Sequence, residues 1–113
     1  QKGANPGQVD AMGNTDLHAA ADMGRPDAVR ALSAVPVESR NKLGHTPLYN
    51  AVFAMVAGKG SRIAVIKTLV AAGAAPDPIS KKGVRVSEFL QRALELGTNP
   101  QIIHRLRSAL QLK

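Results

Sequence analysis

The chain has 113 residues, enough for one small domain, and is 44% hydrophobic but only 3% aromatic. It contains no cysteine, which excludes disulfide staples, thiolate zinc sites and cysteine nucleophiles. The net charge of +7 is lopsided: residues 1–37 hold three basic against four acidic side chains, net −1, and residues 38–113 hold 12 against four, net +8. Such a basic field steers toward an anionic partner, with a merely solvated surface as the alternative. No apolar run approaches the ~18 residues that a membrane span needs.

Abundant Ala and Leu point to helix, and the scarcity of aromatics to a core of stacked aliphatic side chains. Three segments align on a glycine: GNTDLHAAADMG from Gly13, GHTPLYNAVFAM from Gly44 and GVRVSEFLQRAL from Gly83. A second landmark agrees. Gly3-Ala4-Asn5-Pro6 lies ten residues before Gly13, as Gly73-Ala74-Ala75-Pro76 lies ten before Gly83. The spacings of 31 and 39 residues describe a unit near 33, with about six residues added between Phe53 and Arg62.

In chain order, Thr15 caps a first helix and Asp16 sits at its positive end. Leu17, Ala20 and Ala21 share a face, and Gly24 stops the helix. A second helix carries Val29 and Leu32. After Gly44, Thr46 caps a third helix with Pro47 at its first position and Leu48, Ala51 and Val52 on one face. Met55 to Gly60 predicts an extended loop, and a fourth helix follows with Val65, Ile66, Leu69 and Val70, ending at Gly73. Arg85-Val86-Ser87 opens a fifth helix running to about Leu96. Thr98 or Asn99 then caps a last one with Pro100 at its start. That helix, Gln101 to about Leu112, turns Ile102, Ile103, Leu106 and Leu110 inward and Arg105, Arg107, Gln111 and Lys113 outward. One apolar face and one charged face suit a terminal capping unit.

GNTDLHAAADMGRPDAVRAL and GHTPLYNAV…IAVIKTLVAAGA resemble ankyrin repeats, whose pattern is G-x-TPLH-x-A-A-x-x-G, an apolar second helix, then GAD and a hairpin. The resemblance is strong from Gly13 to Pro76 and weak from Gly83. It implies an all-α ankyrin-repeat solenoid of stacked helix-turn-helix units joined by β-hairpin loops. Residues 1–12 would be the hairpin of a preceding repeat, 13–43 a repeat, 44–82 a repeat with a loop insertion near 55–60, and 83–113 a degenerate C-terminal capping repeat. The departures are Asp16 for Pro, Tyr49 for His, the missing Gly-Ala after Ala34, and the insertion. The Ala-rich composition looks bacterial. Gln1 in place of Met points to a processed mature protein or an excised fragment, leaving the bacterial periplasm and the cytoplasm both open.

Candidate chemistry is thin. His18 stands in the TPLH slot, where the resemblance implies a hydrogen bond to a neighbouring hairpin. His45 lies at a hairpin tip and His104 on the exposed side of the last helix. No histidine pair has metal-site spacing, and Gly58-Lys59-Gly60-Ser61 lacks the first glycine and preceding strand of a phosphate loop. These features give no catalytic, cofactor-binding or metal-binding residues, so the expected protein is not an enzyme and uses no cofactor. Nucleic acid is disfavoured because Tyr49 and Phe89 pack inside, leaving too few aromatic platforms.

A stacked repeat frees its loops to vary. The family implies partner contacts at hairpin tips and the outer turn of each first helix. Carried over, these are Val9, Ala11, Met12 and Asn14, with Asp22 and Met23; then Arg40, Lys42, Leu43 and His45, with Phe53 and Ala54; then Ile79, Lys81, Lys82 and Val84, with Arg92. Met12, Met23, Leu43 and Phe53 are apolar where solvent favours polar side chains, which marks a contact patch. Met55 and Lys59 join them as part of the insertion. The competing expectation has Phe53 and Met55 folding inward to cover it. The function expected is binding of another protein with an acidic surface by a chain that is monomeric when unbound. Its sharper form is inhibition or regulation of a partner enzyme, as in small bacterial immunity or self-protection ankyrin proteins. The alternatives are a structural fragment of a larger array and an anionic partner such as nucleic acid.

Overall fold

The computed structural model describes residues 9–32 and 35–112. Its six helices are α1 (Asp16–Asp22), α2 (Pro26–Ala31), α3 (Pro47–Val56), α4 (Ile63–Ala71), α5 (Val86–Glu95) and α6 (Pro100–Ala109). The Gly3–Pro6 landmark, the missing Gly-Ala after Ala34 and the expected outward Lys113 fall outside the described residues.

The helices start where side chains can satisfy free N–H groups. The Thr15 hydroxyl accepts from His18 N–H at 3.2 Å, and the Thr46 hydroxyl from Tyr49 N–H at 3.3 Å. Asn99, rather than Thr98, caps α6 by accepting from Gln101 N–H at 2.8 Å. Pro26, Pro47 and Pro100 each hold a first helical position, where a missing N–H costs nothing. At α5, where no Thr is present, the Glu88 carboxylate reaches back to Arg85 N–H at 3.1 Å.

Short connections set the two helices of each pair side by side and antiparallel. The pairs stack in a row: α1 packs on α3 and α3 on α5, while α2 packs on α4 and α4 on α6. The body is elongated, 42 × 27 × 23 Å, as stacking in one direction demands. Leu17, Ala21, Leu48, Ala51, Val52, Val86 and Leu90 form the buried seam of the first helices. Val65, Ile66, Leu69, Ile103, Leu106 and Leu110 form that of the second, and Ile102 is only partly buried. The alanines allow close approach, so the seam closes without large aromatic side chains.

The loops between units are hydrogen-bonded turns, and among the described residues their β pairing is one isolated antiparallel bridge, Ile79 with Arg85. One expectation needs correction. The insertion is not all loop. The start of the second helix lies ten residues after that of the first in one unit (Asp16 to Pro26) and sixteen in the next (Pro47 to Ile63). Half of the six added residues lengthen α3 and half the connection, Ala57 to Arg62. Met55 therefore lies within α3 and is 3% exposed in the core, not at a partner-facing loop. Phe53, two residues earlier and about 200° around the helix, is 47% exposed.

Candidate partner-binding face

Three turns of one design stand side by side at one edge of the stack. Asp10, Asn41 and Ser80 each lie three residues before a glycine. Each accepts the glycine N–H on its carbonyl, at 2.9 Å in all three cases, and donates its own N–H to the residue four ahead. Its side chain completes the turn. Asp10 Oδ1 accepts from Met12 and Asn14 N–H, Asn41 Oδ1 from Leu43 and His45 N–H, and Ser80 Oγ from Val84 N–H. Bonding to the Asn14 N–H chiefly holds the Asp10 carboxyl below its ordinary 3.8.

The turns are tied to one another. Lys42 N–H donates to Met12 O at 2.9 Å and Lys81 N–H to Leu43 O at 3.1 Å. Asn41 Nδ2 donates to Asn14 Oδ1 at 2.9 Å. Arg40 donates to Gly44 O at 2.7 Å and also to Ile79 O, bracing the second turn against the third. The helices beneath hold each turn from below. His18 Nε2–H donates to His45 O at 2.7 Å while Nδ1 accepts from Thr15 N–H at 3.1 Å, which fixes the neutral Nε2–H tautomer. Burial is the main cause holding His18 below its ordinary 6.5. Tyr49, in the same slot one unit later, donates its hydroxyl to Val84 O at 3.0 Å, the equivalent carbonyl of the next turn. Glu88 fills the slot in the last unit and bonds only locally, to Arg85 N–H.

An aromatic cluster rises between the second and third units. The His45 ring stacks on Tyr49 with centroids 4.3 Å apart and planes 7° apart. Tyr49 and Phe53 each meet Phe89, at 6.1 and 5.5 Å. Burial depresses the His45 pKa, partly offset by a hydrogen bond from its side chain to Asn50 and reinforced by the neighbouring His18.

Two clefts open on this face and share Leu43 and His45. The first, about 250 Å³, lies between the first and second units and is lined by Met12, Asn14, Asn41, Asn50, Phe53, Ala54 and Ala57, with Asp22 and Lys59 at its polar end. The Lys59 ammonium lies 3.7 Å from the Asp22 carboxylate. The second, about 580 Å³, lies between the second and third turns and is lined by Lys42, Ser80, Lys81 and Lys82. Among the described residues no three His, Asp or Glu side chains come together as a metal site, and no helix is long and apolar enough to cross a membrane.

Neither a family model nor a curated protein matches the chain. A solved structure does: an ankyrin repeat domain from Acinetobacter baumannii AYE, 30% identical, with a TM-score of 0.71 over 98% of this chain. The chain is an ankyrin-repeat protein. It spans 55% of the length of that domain. Within the ankyrin frame, eight of the residues expected to contact a partner meet in the first cleft: Met12, Asn14, Asp22, Leu43, His45, Phe53, Ala54 and Lys59. Lys42, Lys81 and Lys82 meet in the second. Met23 and Arg92 are exposed but line neither cleft. Arg40 is exposed, yet its guanidinium is engaged in bracing the turns.

Three residues of this face escaped the sequence. Asn41 builds the second turn and ties it to the first, and its signal was available: Asp10, Asn41 and Ser80 share one offset from their glycines. Asn50 adds a contact of 3.4 Å to Asn14 Oδ1. Arg62, which closes the insertion, carries no local signal. Its Nε and Nη2 donate to Asp22 O at 2.9 and 2.7 Å and its Nη1 to Lys59 O at 3.0 Å. The guanidinium thus caps the negative end of α1 from the neighbouring repeat. The insertion is thereby a brace between repeats as well as a cleft wall.

Proposed function

We infer that this ankyrin-repeat chain is a non-catalytic module that binds another protein across its turn-bearing face and is monomeric when unbound. The observation that carries this is convergence: Met12, Leu43 and Phe53, each 46–47% exposed, come from two successive turns and from α3 and line one cleft beside a row of lysines. Apolar patches rimmed by charge mark contact sites, and aromatic and Met side chains suit them. The lysines favour a partner with an acidic surface. Regulation of a partner enzyme is the finer form. It is supported by the exposed segment Ala57–Ser61, of which Ala57 and Lys59 line the cleft.

The test is capture of protein partners by the immobilised chain and by its Leu43→Asp/Phe53→Asp variant. The expected result is specific partners retained by the native chain and lost by the variant, whose circular dichroism and melting match the native protein. A second variant, Met12→Asp/Leu43→Asp, leaves the ring cluster intact and should behave alike. Partners retained equally by both variants would refute the assignment of this face. Where the captured partner is an enzyme, loss of its turnover on binding tests the regulatory form.

A further inference from the structure

We propose that the groove recognises an extended acidic peptide segment carrying a Trp or Tyr anchor, the ring entering the first cleft and the carboxylates lying over the second. The proposal rests on the protein-binding reading above and names the chemistry of the partner. Size points to the anchor. A cavity of about 150 Å³ holds a benzene ring, whereas sites for whole small molecules run from about 300 Å³ upward. At about 250 Å³ the first cleft takes one large side chain. Its walls suit an aromatic one: the Phe53 ring already belongs to a tilted cluster that another ring can extend, and the Met12 thioether favours aromatic contact. The Asp22 carboxylate at the polar end offers an acceptor to an indole N–H or a phenol O–H, which a Phe anchor would leave unused.

Charge fixes what flanks the anchor. The second cleft adjoins the first through Leu43 and His45 and is lined by three lysines with no carboxylate among its lining residues. Acidic residues on the side of the anchor nearer the third turn therefore meet Lys42, Lys81 and Lys82. Nucleic acid fits less well. Its bases need stacking platforms along a charged track, but here the exposed Phe53 ring lines the first cleft, whose one lysine, Lys59, is paired with Asp22, while the other three lysines line the second.

Selection from a displayed library of random peptides tests this. The expected outcome is enrichment of sequences with Trp or Tyr beside Asp/Glu runs. Synthetic versions should weaken at least about tenfold on Trp→Ala or on neutralising the acids to Gln. On the protein side, Phe53→Asp should act on the first term. Lys81→Glu/Lys82→Glu should act on the second and remove most of the salt dependence. Four outcomes overturn the proposal: enrichment of basic or non-aromatic sequences, indifference to the lysine reversals, displacement of the peptide by a single-stranded oligonucleotide, and self-association of the chain through Phe53. If no peptide is enriched while native partners are still captured through Leu43 and Phe53, the segment proposal fails and the protein-binding reading stands. If neither is seen, both fail.

Discussion

Replacing Gly44 with Ala would place a methyl carbon 2.3 Å from the Lys81 backbone nitrogen and 2.8 Å from Lys81 Cβ. Gly44 also has φ +77°, a left-handed conformation that costs an L-residue about 1–2 kcal/mol. Gly83 occupies the same place in the third turn, with φ +82°, but an added Cβ there meets nothing within 4 Å. The two substitutions therefore share the conformational term and differ in the contact. Gly83→Ala should cost about 1–2 kcal/mol. Gly44→Ala must also push the third turn away, endangering the bond from Lys81 N–H to Leu43 O and that from the Tyr49 hydroxyl to Val84 O. Each is worth about 1 kcal/mol, so the total should reach about 3–4 kcal/mol. Gly13→Ala, with φ +79° and Lys42 N at 3.0 Å, should fall between. Urea denaturation of the three variants, compared at constant m, measures the order. Equal losses at Gly44 and Gly83 would refute the claim that the second and third turns are packed in contact.

Arg62→Ala should cost about 1.5–3 kcal/mol, and Arg62→Lys should recover little, because two N–H groups of a fork serve one carbonyl; thermal melts report both. Tyr49→Phe should cost about 1 kcal/mol by removing the second donor to Val84 O, which keeps only the Ser80 N–H, and Tyr49→His should restore part of it, since His18 makes the same bond one unit earlier. Burial holds the folded pKa values of His18 and His45 below the ordinary 6.5, so the unfolded chain binds more protons between those values and 6.5. Stability should be complete above about pH 6.5 and fall as the pH drops through that window. Denaturation at pH 7.5 and 5 should show the loss, and His18→Gln should reduce it; a flat profile would contradict the buried neutral imidazole.

The stack was legible in the sequence because its signals are local and repeated. Gly13, Gly44 and Gly83 mark one offset, Thr15 and Thr46 mark helix starts, and Leu17 and Leu48 mark one seam. The first cleft was legible to the extent that apolar residues stood at turn positions, as Met12 and Leu43 do. Met55 was not, because helix and loop share the composition of Ala54-Met55-Val56-Ala57, and only the left-handed Gly58 sets where α3 stops. Phe53 and Met55 part ways once that boundary is known, since helical geometry turns two residues two apart to different faces. Arg62 and Arg40 were illegible for another reason. Their acceptors, Asp22 O and Ile79 O, lie 40 and 39 residues away and are backbone atoms, which leave no mark in the sequence.

Hydrogen exchange of the backbone amides, with and without a captured partner, tests most directly that the stack leaves its turn-bearing face free to bind. The account predicts new protection in the turns around Met12, Leu43 and Lys81 and at the exposed end of α3, with α2, α4 and α6 unchanged. Protection centred on α2, α4 and α6, with the turns exchanging as in the free chain, would contradict it.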